Sequence, residues 1–86
     1  MKNTINDVIK QIIIILSRND ETAWVDVFHH ALLQLDDDYE EALYNLRRLY
    51  AGMGSFNDLV LHKKGLLLIQ ENNDLDILRR KLHSLL

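Results

Sequence analysis

Cysteine and proline are both missing from this sequence, and glycine occurs three times. Without cysteine the chain has no disulfide, thiolate metal site or cysteine nucleophile, which is typical of reducing compartments. No linker-like stretch divides it, so we predict a single helical domain over residues 1–86. The longest apolar run, residues 12–16, is far shorter than the roughly 20 residues of a membrane-spanning helix, and polar residues interrupt the N-terminus where a secretory signal is apolar. We therefore expect a cytoplasmic protein that does not bind membranes.

Positive charge is missing from the middle of the chain, because no lysine or arginine occurs between Arg18 and Arg47. The same interval holds eight of the thirteen acidic residues: Asp20, Glu21, Asp26, Asp36, Asp37, Asp38, Glu40 and Glu41. A surface of one sign steers oppositely charged proteins toward it and repels nucleic acid. Two interpretations stay open, a solvated face whose carboxylates serve helix starts and a docking face for a basic partner.

Apolar residues recur at helical spacing in four segments. The first two stripes are Ile5, Val8, Ile9, Ile12, Ile13 and Leu16, and then Trp24, Val27, Phe28, Ala31, Leu32 and Leu35. The last two are Tyr39, Ala42, Leu43, Leu46, Leu49 and Tyr50, and then Leu75, Leu78, Leu82 and Leu85. Side chains that can accept hydrogen bonds from free amides predict helix starts at Thr4, Asn19 or Asp20, Asp38, and Asn72 to Asp74.

A corner interrupts this spacing after the third helix. Gly52 is placed to take the left-handed conformation that closes a helix. The residues that follow offer small or polar side chains that bond local backbone, namely Gly54, Ser55, Asn57 and Asp58. Beyond the corner, two short apolar runs at 58–62 and 66–70 are joined by three residues including a glycine, which predicts a β-hairpin. The predicted fold is mainly α, with four helices and a short hairpin before the last one.

No constellation of residues predicts catalysis. His29 and His30 are adjacent, so they lie about 100° apart on a helix, and no histidine pair has the spacing of a helical zinc site. Gly52-Met53-Gly54 follows a helix and lacks the third glycine of a dinucleotide fingerprint. The basic clusters at 63–64 and 79–81 have no interleaved aromatic residues. We therefore predict no enzymatic activity, no metal, no cofactor and no direct binding of nucleic acid.

The segment GMGSFNDL at 52–59, preceded by LRRLY at 46–50 and followed by NDLDILR at 73–79, resembles a group of short, functionally uncharacterised bacterial domains. This resemblance covers Trp24 to the C-terminus and leaves out the first helix. In size, acidity and helical content the chain is also similar to immunity proteins of bacterial contact-dependent growth-inhibition systems, which neutralise toxins that are often nucleases. That resemblance implies an inhibitor that covers the basic active-site cleft of a cognate toxin.

The sequence supplies two candidate interfaces. For toxin binding we predict steering and pairing by Asp36, Asp37, Asp38, Glu40 and Glu41, with the contact extended by Asp26, His29 and Leu33 on the side of the second helix opposite its core stripe. The alternative is a homodimeric structural or regulatory module. In that case Ile14 and Ile15, which fall off the stripe of the first helix, belong to the subunit interface.

Overall fold

The computed structural model describes residues 2–52 and 54–86, and Met53 of the GMGSFNDL segment lies outside this description. The chain forms four helices, α1 (Lys2–Arg18), α2 (Thr22–Asp37), α3 (Tyr39–Arg48) and α4 (Ile69–Leu85). Between α3 and α4 lie a 3-10 turn (Phe56–Asp58) and an antiparallel hairpin of β1 (His62–Lys63) and β2 (Leu66–Leu67). The predicted fold, mainly helical with a hairpin before the last helix, is confirmed.

Helix α1 runs through the centre of the molecule, where it packs against both α2 and α4. Its apolar stripe is buried as predicted, and Ile15 is also only 5% exposed because α1 is covered on two sides. Ile14 stays 55% exposed. The central position of α1 therefore accounts for Ile15, so the prediction that Ile15 belongs to a subunit interface is wrong, but it does not account for Ile14.

Helix α2 packs against α3 as well as α1. Its stripe is buried at Phe28, Ala31 and Leu35. The prediction for Val27 is wrong, since that side chain is 38% exposed. The stripes of α3 and α4 are buried or partly buried as predicted.

The predictions that Thr4 starts α1 and that Asn19 or Asp20 caps α2 are both wrong. Thr4 lies inside α1, which already includes Lys2. Glu21 occupies the capping position of α2 without a side-chain hydrogen bond. Asn19 instead donates to the Ile15 carbonyl (2.8 Å), so its amide serves the end of α1, and Asp20 makes the turn with a φ of 57°. Asp38 does cap α3, because its carboxylate accepts from the Glu41 amide at 3.2 Å.

The hairpin is shorter than the sequence predicts. Strand pairing is limited to His62 with Leu67 and Lys63 with Leu66. The loop has two residues, Lys64 (φ 53°) and Gly65 (φ 78°), and two successive left-handed residues make the type I′ turn that suits the twist of paired strands. The predicted first run begins in the 3-10 turn, and the second run ends inside α4, which starts at Ile69.

Asn72 has a different role from the predicted helix start, since it lies in the first turn of α4. Its Oδ1 accepts from the Leu61 amide (2.7 Å), and its Nδ2 donates to the carbonyls of Leu61 (2.9 Å) and Leu68 (2.8 Å). One side chain therefore satisfies backbone groups on both sides of the hairpin and ties its base to α4.

The corner after α3 is built by two left-handed glycines and two local side chains. Gly52 and Gly54 have φ of 84° and 73°. The Asp58 carboxylate accepts from the backbone N–H of Gly54 (2.9 Å). The side-chain Nδ2 of Asn57 donates to the backbone carbonyl of Tyr50 (3.3 Å). Ser55 precedes the 3-10 turn, and its buried hydroxyl oxygen has no hydrogen-bond partner within the described residues.

Gly52→Val is expected to lower the free energy of unfolding by more than about 1 kcal/mol, because a β-branched residue resists positive φ. A Cβ at this position meets nothing within 4 Å, so the loss reports backbone conformation rather than a clash. Urea denaturation measures it. The matched control is Gly52→Asn, which tolerates the left-handed region better and should retain most of the stability. Equal losses in both variants would contradict this account.

Candidate protein-binding site

An acidic block surrounds the connection between α2 and α3. We use this name for Asp36, Asp37, Asp38, Glu40 and Glu41, all of which are exposed. The first two end α2, and the glutamates lie in the first turn of α3. Negative charge is favourable at the start of α3, where the helix dipole is positive, and unfavourable at the end of α2. Local helix chemistry therefore accounts for only part of the block.

Ion pairs between described side chains occur outside the block. Arg18 contacts Glu71 at 3.0 Å, and Asp76 contacts both Arg79 (3.2 Å) and Arg80 (2.8 Å). Asp36 has an interaction within the chain. For the other four members of the block, no ion pair with the same chain occurs in residues 2–52 and 54–86. Their charge therefore faces solvent uncompensated by a contact cation.

Two arginines, Arg47 and Arg79, use their side chains to bind backbone carbonyls of the same chain. Arg79 is 9% exposed and donates to the carbonyls of Phe56 (2.8 Å) and Leu59 (2.9 Å). Arg47 donates to the backbone oxygen of Leu86. The sequence analysis treated Arg79 as part of a short basic cluster, whereas its side chain joins α4 to the carbonyls of the corner.

Tyr50 reinforces the same junction. Its hydroxyl donates to the Arg79 carbonyl at 2.6 Å. Burial raises the pKa of this phenol far above its usual range, and the nearby Arg79 guanidinium opposes the rise only in part. The phenol therefore stays neutral and able to donate at any physiological pH.

A cleft of about 420 Å³ lies between α2 and α3. We call it the α2–α3 cleft, and its lining consists of Asp26, Val27, His30, Ala31, Gln34, Asn45, Leu46 and Leu49. The apolar members form most of the surface, and the polar ones come mainly from α2. Asn45 donates to the side-chain oxygen of Gln34 at 3.0 Å, so these two amides bridge the helices.

A second hollow of about 310 Å³ adjoins the cleft and shares His30 and Gln34 with it. Its other lining residues are Leu33, which is 71% exposed, and Asp37 of the acidic block. The two hollows together connect the predicted contact residues Asp26 and Leu33 to the block. His29 is exposed but lines neither hollow, and its neighbour His30 lines both.

Val27 and His30 are the site residues that sequence reasoning missed. Val27 fits the helical stripe of the core, and only the placement of α3 shows that it lines a cleft. Within the described ranges, no three His, Asp or Glu side chains are grouped so as to hold a metal ion. No helix in the same ranges combines the length and apolar character that a bilayer span requires.

The fold and this surface define a small helical domain with an acid-bordered cleft between its second and third helices. Residues 17–69 match DUF6966, a family of domains of unknown function. The match spans more than half of the chain, which therefore belongs to this family. It includes α2, α3, the corner and the hairpin, and so contains the whole candidate site. No curated protein and no solved structure matches the chain significantly.

Proposed function

We propose that this protein is an inhibitor that binds a basic partner protein with the α2–α3 side of the molecule and has no chemistry of its own. The observation that carries the proposal is a set of exposed carboxylates, Asp37, Asp38, Glu40 and Glu41, that have no contact cation within the described residues. One of them, Asp37, lines the hollow that adjoins the α2–α3 cleft. An interface with an apolar centre and a charged rim has this composition.

The partner that fits best is a bacterial toxin, above all a nuclease. Nucleases bind a polyanion, so their active-site clefts collect lysine and arginine. An acidic protein that covers such a cleft competes with the nucleic acid for the same cations. The resemblance of the chain to immunity proteins in size, acidity and helical content supports this partner class. The charge of Asp37, Asp38, Glu40 and Glu41 would speed the encounter, because long-range attraction raises association rates.

Neutralising the block is expected to slow association with a co-encoded toxin by about tenfold at low salt. The test variant combines Asp37→Asn, Glu40→Gln and Glu41→Gln, because these three side chains make no hydrogen bond or ion pair within the described residues. Stopped-flow mixing at low and high ionic strength measures the rate, which should fall with salt in the wild type and less steeply in the variant.

The matched control removes the same charge elsewhere, with Asp7→Asn, Asp20→Asn and Glu21→Gln. These residues lie on α1 and at the opposite end of α2 from the block. The control should associate nearly as fast as the wild type. An association rate that ignores salt, or that falls equally in both triple variants, would remove the electrostatic part of the proposal.

A second candidate function is a homodimeric structural or regulatory module. The observation in its favour is a hollow of about 360 Å³ between α1 and α4, which is bordered by Ile14 and Ile77. These side chains are 55% and 65% exposed. Burial of such apolar surface by a second copy would stabilise a dimer.

For this second candidate, sedimentation velocity is expected to show a mass that rises with protein concentration. Ile14→Ser should return the protein to the monomer, because it removes apolar area from the centre of the α1–α4 hollow. Leu33→Ser, an equally polar change on α2, is the control. A clean monomer at high concentration would contradict the homodimer.

A further inference from the structure

The candidate site has a regular geometry along α2. Asp26, His30, Leu33 and Asp37 follow one another at intervals of four, three and four residues, so they lie on one face of the helix. Asp26 and Asp37 are eleven residues apart, which is about three turns and about 16 Å along the helix axis. A carboxylate therefore marks each end of the face.

Between these carboxylates the surface is apolar and concave. Val27, Leu46 and Leu49 line the α2–α3 cleft, and Leu33 lies exposed in the lining of the adjoining hollow. The remaining amides, Gln34 and Asn45, bond each other at 3.0 Å, which leaves the Gln34 Nε2 donors and the Asn45 Oδ1 acceptor for water or for a polar group of the partner. An apolar side chain that enters the cleft must leave these groups open to such a contact.

We propose, resting on the function proposed above, that the α2–α3 cleft binds one basic amphipathic helix of the partner. The partner helix lies along α2 with apolar side chains in the two hollows. Cations about three turns apart on the same face of that helix meet Asp26 and Asp37. A basic helix fits because an aspartate lies at each end of this face of α2. Neither Asp26 nor Asp37 has a contact cation within the described residues.

This geometry specifies the partner segment more narrowly than charge alone. Helices pack with axes 8–10 Å apart, and an amphipathic helix places anchors at i, i+4, i+7 and i+11 on one face. The matching pattern is a cation, two apolar residues and a cation at those four positions. A basic segment without the two apolar anchors would be attracted electrostatically to the acidic block. It would dissociate quickly because no apolar side chain fills the cleft.

The first experiment uses the full chain and a synthetic peptide of about 18 residues, a length at which a helix is readily induced. The peptide carries lysine at i and i+11 and leucine at i+4 and i+7, with alanine and glutamine elsewhere. Fluorescence anisotropy measures its binding. Val27→Lys and Leu33→Lys should each weaken it at least about tenfold, because a cation replaces an apolar contact and repels the lysines.

The matched control is Ile14→Lys, which makes the same change in the α1–α4 hollow and should leave the affinity unchanged. A peptide with glutamate in place of both lysines should not bind. Moving one lysine by two residues places it about 160° around the helix and should cost about fivefold. Absent binding, or equal losses in Val27→Lys and Ile14→Lys, would overturn the cleft as a helix site.

A second measurement separates this inference from the proposed function. If a basic toxin associates in a salt-dependent way but tolerates Val27→Lys and Leu33→Lys, the acidic surface stands and the helix site is refuted. If the peptide binds as described but no basic toxin associates, the helix site stands and the inhibitor function is refuted. Circular dichroism of each variant confirms that the chain keeps its helical content.

Discussion

Phe56→Ala is expected to lower the free energy of unfolding by about 3 to 5 kcal/mol. The ring is fully buried, with its centroid 4.8 Å from that of Phe28, 5.4 Å from Trp24 and 5.7 Å from Tyr50. Its removal leaves a cavity where the corner meets α2 and also ends these aromatic contacts. Since domains are stabilised by only about 5 to 15 kcal/mol, a large fraction of the stability is at stake.

Urea denaturation followed by circular dichroism measures this loss as a shift of the midpoint. Tyr44→Ala is the control, because Tyr44 is an aromatic residue that is 54% exposed and should cost less than about 1 kcal/mol. Phe56→Leu should recover part of the loss by refilling the cavity. A midpoint for Phe56→Ala near that of Tyr44→Ala would show that the corner is not part of the core.

Arg79→Ala is expected to destabilise the chain by about 3 kcal/mol. The guanidinium satisfies the Phe56 and Leu59 carbonyls and pairs with Asp76, and no other donor to the Leu59 carbonyl is described. A buried acceptor without a donor costs about 1 to 3 kcal/mol, and the lost packing of the arginine stem adds to it. The change should also release the corner from α4, which hydrogen exchange at the Leu59 amide would detect.

Arg80→Ala is a close control for this prediction. Arg80 is the next residue and contacts the same Asp76 carboxylate at 2.8 Å, yet its side chain is 81% exposed. An exposed ion pair contributes little, so its loss should stay within about 0.5 kcal/mol. Equal effects of the two substitutions would mean that Arg79 acts only through Asp76 and not through the two carbonyls.

The helices were predictable because each buries one stripe of side chains, and that pattern is written in local sequence. The residues at which the helices begin were harder to predict. Thr4 and Asn72 have typical capping side chains, but α1 extends past the first, and the second bonds the hairpin from within α4. Capping preferences are worth about 1 kcal/mol, so contacts with a distant segment readily override them.

The site was predictable in its charge but not in its shape. Asp26 and Leu33 were predicted from the polar side of α2, and the acidic block from the interval without lysine or arginine. The structure places Asp26, Leu33 and Asp37 in the lining of the connected hollows. Val27 and His30 depend on how α3 lies across α2, which no local pattern encodes. The burial of Arg79 likewise depends on carbonyls 20 and 23 residues away. Burial of an arginine is rare enough that a solvent-facing position is the default expectation.

The central position of α1 means that the family region does not contain the whole hydrophobic core. The region at 17–69 lacks α1, which contributes Ile5, Val8, Ile9, Ile12, Ile13, Ile15 and Leu16 to the core, and also lacks Leu75 and Leu82 of α4. Left alone, that region would expose the side of α2 that packs against α1. In a relative that keeps only this stretch, another apolar surface must cover α2, either from different flanking sequence or from another polypeptide.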